Sequence, residues 1–182
     1  PKADVITAVV KSIWNRKNPF PSTLTTNSLL SGKTSAKEIR HYEFDLADSD
    51  LSYKTGDALN VMPINNAILV SSLLERLSIE SDIVPEGQTK TIAELLTYSY
   101  EISTPARDFL AVIERQAEDD IFSHVMSSGD KEALADYLWG KDTLDLLNLN
   151  SIITFSAEEF LVLLKPLQHR AYSISSSPKQ HP

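Results

Sequence analysis

The sequence predicts an α+β fold in which a β domain stops for a helical block and then resumes. Two observations carry this. The first third holds short β-branched and apolar runs separated by turn compositions, as in an antiparallel barrel or sandwich. From Val70 onward the apolar period changes to the helical one, and it changes back at Arg170. Strands, helices and a returning strand in consecutive blocks imply a helical insertion.

The elements follow in order. Val5 to Trp14 is apolar with little charge and is expected to be extended. Ser22 to Leu30 is rich in Thr and Leu and has no helix cap. Lys37 to Leu46 puts Tyr42, Phe44 and Leu46 on one face of an extended chain. Leu59 to Met62 is a further short strand. Between these lie Asn18-Pro19-Phe20-Pro21, Ser31-Gly32-Lys33 and Lys54-Thr55-Gly56-Asp57, all turn compositions. Gly56 permits a positive φ, and a hairpin turn is the simplest reading of that last segment.

About six short helices come next. Asn65 or Asn66 caps the first, whose apolar residues are Val70, Leu73, Leu74 and Leu77. Thr91 and Glu94 form a capping box. Thr104-Pro105 places a proline in the first turn of the next helix, where its missing N–H costs nothing. Ile121 to Met126, Lys131 to Trp139 and Thr143 to Leu149 read as helices. Ser156 and Glu159 form a second capping box, and Pro166 stops that helix. The stretch from Arg170 to Ser175 is β-branched and aromatic enough for a strand.

Composition narrows the function. Lys and Arg number 17 against 25 Asp and Glu, a formal charge of −8, which argues against general nucleic-acid binding and anionic membranes. Cysteine is absent, so disulfides, thiolate metal sites and cysteine nucleophiles are excluded. That suits a reducing compartment such as the cytoplasm. No apolar run approaches the roughly 20 residues of a membrane span. The five glycines are scattered, which removes glycine-rich phosphate loops. His41, His124, His169 and His181 have no metal-ligand spacing, so no metal is expected. Glu118-Asp119-Asp120 reads as a solvated helix start.

The sharpest feature is Arg170 to Pro178. On a strand, Arg170, Tyr172 and Ile174 share one face, and Ala171, Ser173 and Ser175 the other. A guanidinium two residues from a ring can grip a phosphate while the ring stacks on a planar group. An edge strand with a Ser-rich tail fits the same residues. For the chain as a whole, two other readings stay open: a cofactor-free helical module that docks a partner through its acidic face, and a paired-carboxylate hydrolase, which needs Glu and Asp in one cleft.

A family resemblance enters on these residues. Arg170-Ala171-Tyr172-Ser173-Ile174-Ser175-Ser176 resembles the R-x-Y-S-[IL]-[SA]-S motif of FAD-binding domains of the ferredoxin–NADP reductase superfamily. Leu164-Lys165-Pro166-Leu167-Gln168-His169 is similar to the lead-in of diflavin reductases. Lys37-Glu38-Ile39-Arg40-His41 resembles their K-E-x-R-H strand. Tyr53, Gly56, Asp57, Leu59, Val61, Pro63 and Asn65 match their Y-x-x-G-D-x-L-x-V-x-P-x-N segment. Asn18-Pro19-Phe20-Pro21 looks like the N-P-F-x-A stretch of the sulfite reductase flavoprotein branch.

The resemblance implies an antiparallel FAD-binding β-barrel interrupted by an all-helical connecting domain. Residues 1–65 would begin the barrel, 66–160 form the connecting domain, and 161–182 return to a truncated barrel. It implies an NADPH-dependent flavoprotein oxidoreductase with FAD here and FMN and NADPH in other domains. Electrons would pass from NADPH through FAD to FMN and then to a haem-containing acceptor subunit. Arg170 would pair with the FAD pyrophosphate and Tyr172 would stack on the isoalloxazine. Ser173 would bond near the flavin N5, and Ala171 would contact flavin through its backbone. Glu101-Ile102-Ser103 matches an E-[LI]-hydroxyl run, which places Ser103 near FAD. Some relatives carry an arginine where this chain has Gly140-Lys141. The resemblance places a second phosphate turn and the NADPH domain past residue 182, so the piece alone is expected to be inactive.

Overall fold

A computed structural model describes residues 12–46 and 49–180. The expected extended run from Val5 to Trp14 lies mostly outside them, and its described end, residues 12–14, is not a strand. The chain divides into two compact units. One takes the described residues up to Val61 and from Ala171 onward, the other Met62–Arg170.

The first unit contains β1 (Leu24–Leu29), β2 (Arg40–Phe44) and β3 (Ala58–Val61). β1 and β2 are antiparallel, from Leu29 opposite Arg40 to Leu24 opposite Phe44, with a bulge between Leu24 and Thr26. The Thr26 hydroxyl donates to Glu43 at 2.6 Å, and Arg40 donates to Asn27 at 2.7 Å. Phe44 and Leu46 are half-buried as the alternation requires, but Tyr42 is exposed. Tyr42 keeps its regular pairing with Asn27, away from the bulge. No described apolar residue of this unit is buried.

The second unit holds the core. Its helices are α1 (Ala67–Leu77), α2 (Ile92–Tyr98), α3 (Arg107–Ala117), α4 (Asp120–Ser128), α5 (Lys131–Leu138), α6 (Thr143–Leu147) and α7 (Ala157–Leu163). Asn66 caps α1 by accepting from the Ile68 N–H, and Val70, Leu73, Leu74 and Leu77 face inward as read. Both capping boxes form, at Thr91/Glu94 and at Ser156/Glu159. Asp119 of the acidic run caps α4 by accepting from the Phe122 N–H at 2.7 Å. Phe109 and Phe160 meet edge to face at 6.2 Å in the centre of the core. Arg76 at the end of α1 donates to the carbonyls of Leu147, Asn150 and Ile153 and to the Asn148 side chain. One planar cation thereby closes the α6–α7 loop.

Two details differ from the sequence reading. Helix α3 starts at Arg107 with Ala106 as its cap, so Pro105 lies before the helix instead of in its first turn. The reason is Glu101, whose carboxylate accepts the N–H groups of Ser103 and Thr104 and makes a turn there. Pro166 does more than stop α7. With Lys165 it forms β5 (Lys165–Pro166), antiparallel to β4 (Tyr100–Glu101). A residue before proline avoids the helical region, which suits this extended start.

The last strand, β6 (Arg170–Ser173), pairs with β3. Strands among the described residues thus form three separate two-stranded sheets in a mixed helix and strand fold, and these residues do not close a barrel. No helix among them is long and apolar enough to cross a membrane.

Candidate functional site

The site is built around a small sheet of two strands, each two residues long. In it Glu101 stands opposite Lys165, and Tyr100 opposite Pro166. The Leu167 N–H donates to the Ser99 carbonyl at 2.8 Å and continues the pairing. Asn65 is buried behind the sheet. Its amide donates to the carbonyls of Leu96 and Tyr100, both at 2.6 Å. A buried amide with two partners fixes the end of α2 against β4.

Beside this sheet runs a groove of about 420 Å³ lined by Glu101, Thr104, Pro105, Lys165, Gln168 and Arg170, among others. Arg170 Nη2 donates to Glu101 Oε2 at 2.6 Å, and Nη1 donates to the Gln168 carbonyl at 3.2 Å. The Glu101 side chain is only 12% exposed and that of Arg170 is 45% exposed. Glu101 Oε1 accepts the N–H groups of Ser103 and Thr104 at 3.0 and 3.2 Å. An arginine has five N–H donors, and Arg170 uses two of them on partners among the described residues. The groove's formal charges are Lys165 and Arg170 against Glu101, a surplus of one positive.

A second groove of about 530 Å³ lies on the other side of the 103–105 turn, lined by Ser103, Thr104, Leu138, Trp139, Lys141 and neighbours. Trp139 is 87% exposed. Lys141 is engaged locally. Its ammonium sits 4.4 Å from the Tyr137 ring centroid and donates to the Tyr137 carbonyl. Tyr137 stacks on Phe122 at 5.2 Å. Burial, and after it the charge of Asp119, pushes the Tyr137 phenol up.

In the other unit, Ala171, Tyr172 and Ser173 continue β6 and are all exposed, Tyr172 at 56%. The chain just past them is clasped by the Tyr53–Asp57 segment. Gly56 N–H donates to the Ile174 carbonyl, and Ile174 N–H to the Asp57 carbonyl, both at 2.8 Å. The Thr55 hydroxyl donates to the Ser176 carbonyl at 2.9 Å. Gly56 has φ +92°, the positive value the turn needs. The turn read in the sequence is therefore present, but it serves a strand more than a hundred residues away instead of a local hairpin.

The structure thus sets Arg170 and Ser103 on neighbouring grooves flanking the Glu101 turn. Sequence reasoning missed Glu101. In the sequence Glu101 stands out only as the lead-in to Ser103, yet the carboxylate makes the contacts, and Ser103 contributes its main-chain N–H to it. A carboxylate two residues before a Ser-Thr-Pro turn was the available signal.

The chain belongs to the FAD binding domain family, whose pattern it matches over residues 13–182. Within that class it is similar to the sulfite reductase [NADPH] flavoprotein alpha-component of Vibrio cholerae, at 33% identity over 177 residues and 96% of this chain. The protein of the same name from Bacillus subtilis is 32% identical over 94% of this chain, and that from Escherichia coli O157:H7 31% identical over 99%. The chain spans 28% to 31% of the length of these relatives.

Proposed function

We propose that this chain is the FAD-holding module of an NADPH-dependent diflavin reductase of the sulfite reductase flavoprotein kind. The observation that carries the reading is Arg170, which lines a groove with only two of its five donors engaged among the described residues, two positions in sequence before the exposed ring of Tyr172. These residues fit the cofactor. The guanidinium suits a pyrophosphate, and an exposed ring suits a flavin face.

In this reading Arg170 binds the FAD pyrophosphate and Tyr172 orients the isoalloxazine by stacking. Ser173 donates or accepts a hydrogen bond near N5, Ala171 contributes main chain, and Ser103 adds a hydroxyl nearby. Held by these residues, FAD would supply hydride acceptance and one-electron donation. The domain roles are 1–65 and 161–182 as parts of a β-barrel and 66–160 as the helical connecting domain. The partners are the FMN and NADPH domains of the same protein and a haem-containing acceptor subunit, in the cytoplasm.

The test is a titration of FAD, followed by flavin fluorescence quenching, into this chain and into one continued past Pro182. Saturable quenching that is lost in Tyr172→Ala supports the module and places the flavin on that ring. Quenching indifferent to Tyr172→Ala removes Tyr172 from the site. No quenching in either chain favours a cofactor-free helical interaction module.

A further inference from the structure

We propose that Glu101 is the positioning residue for Arg170, and that it sets the preference for flavins carrying a pyrophosphate over phosphate-free ones. The proposal rests on the reading of Arg170 as the pyrophosphate partner.

The geometry points this way. Glu101 is held by main chain, since it lies in β4 opposite Lys165. Its carboxylate is largely covered, and a covered charge persists only with partners. It has three donors. Two are the N–H groups of Ser103 and Thr104 on one oxygen, and the third is the Arg170 guanidinium on the other. The same carboxylate therefore shapes the turn that walls the groove and aims the cation that stands in it. Without it, Arg170 keeps one bond among the described residues, to the Gln168 carbonyl, and its long stem is free to reorient. A guanidinium recognises phosphate through a planar fork, so its direction matters as much as its charge.

A competing effect has the opposite sign. The negative charge of Glu101 also opposes an arriving anion. Positioning predicts that neutralising Glu101 weakens pyrophosphate binding, whereas competition predicts that it strengthens it. Glu101→Gln separates the two while keeping the side chain's shape. Its single carbonyl oxygen cannot serve both the turn and Arg170, and its NH2 group faces donors on whichever side it turns.

The experiment measures equilibrium binding of FAD and of riboflavin to the full chain continued past Pro182. The parent, Glu101→Gln, Arg170→Ala and the double variant are compared, with the thermal midpoint of each. Glu101→Gln is expected to weaken FAD about fivefold to tenfold and leave riboflavin within about twofold. In the Arg170→Ala background it adds no further loss, because it acts through that side chain. FAD affinity that is unchanged or higher overturns the proposal. So does equal loss of both flavins, which marks a merely structural role, or an additive loss in the double variant. Where riboflavin is too weak to titrate, the cycle on FAD alone decides. If Arg170→Ala leaves FAD binding intact, the pyrophosphate reading fails and Glu101 falls with it. If only Glu101→Gln is silent, the pyrophosphate reading stands and the positioning role alone falls.

Discussion

The phenol of Tyr53 and the hydroxyl of Ser176 lie 2.9 Å apart although 123 positions separate them in the chain. With the Gly56 and Asp57 bonds to Ile174, this contact holds the end of the strand that presents Tyr172 and Ser173. Tyr53→Phe removes the hydroxyl and keeps the ring. An exposed neutral hydrogen bond contributes about 0.5–1 kcal/mol. Local opening should therefore rise about twofold to fivefold, read as faster hydrogen exchange at the Gly56 and Ile174 amides. The helical unit, with its own core, should keep its unfolding midpoint. Unchanged exchange at both amides would show that the main-chain bonds hold the clasp alone.

Asn65 is the last residue of the same sequence motif and does a different job. Its amide reaches two buried or half-buried carbonyls, so Asn65→Ala leaves both without a donor. A loss of about 2–3 kcal/mol is expected, measured as a lower denaturant midpoint with an unchanged slope. Asn65→Asp should lose nearly as much, because a carboxylate cannot donate to carbonyls. A variant as stable as the parent would mean that water serves Leu96 and Tyr100 equally well.

These two residues show what the sequence could and could not disclose. The helices were legible because their signals are local: Val70, Leu73, Leu74 and Leu77 repeat at helical spacing, and Thr91 and Ser156 cap three residues before Glu94 and Glu159. The strand pairings were not. Two-residue strands such as Tyr100–Glu101 carry no periodicity, and the partners of Gly56 and Tyr53 lie over a hundred residues on. The candidate site was half legible. Arg170 and Tyr172 stand together in one motif, while Glu101 joins Arg170 only through the β4–β5 pairing.

Thr143 gives a prediction in the stabilising direction. It is fully buried at the start of α6, its N–H donates to the Ile102 carbonyl at 3.2 Å, and its hydroxyl has no hydrogen-bond partner among the described residues. A buried hydroxyl without a partner has lost its water and gained nothing. Thr143→Val keeps the volume and removes that group. The unfolding free energy should stay level or rise by up to about 1 kcal/mol, measured by chemical denaturation. A clear loss would reveal a partner for the hydroxyl.

The helix caps give the helical unit a pH dependence whose sign is fixed. The Thr91 N–H, and after it the Thr91 hydroxyl, holds the Glu94 carboxyl below the usual carboxylate range. Glu158 is lowered as well, by its own N–H first, then by the Glu86 N–H and the Ser156 hydroxyl. A carboxyl with a depressed folded pKa binds its proton more readily when unfolded. Its stabilisation is therefore present above the ordinary carboxylate pKa of about 4.3 and is lost as the pH falls through the lower folded value. Thermal midpoints of the parent chain should fall between about pH 5 and pH 3. Glu94→Gln keeps a capping side chain but cannot titrate. The double variant Glu94→Gln/Glu158→Gln should start lower at neutral pH and show a shallower acid decline. An acid decline as steep as the parent's would assign the pH dependence to other carboxylates.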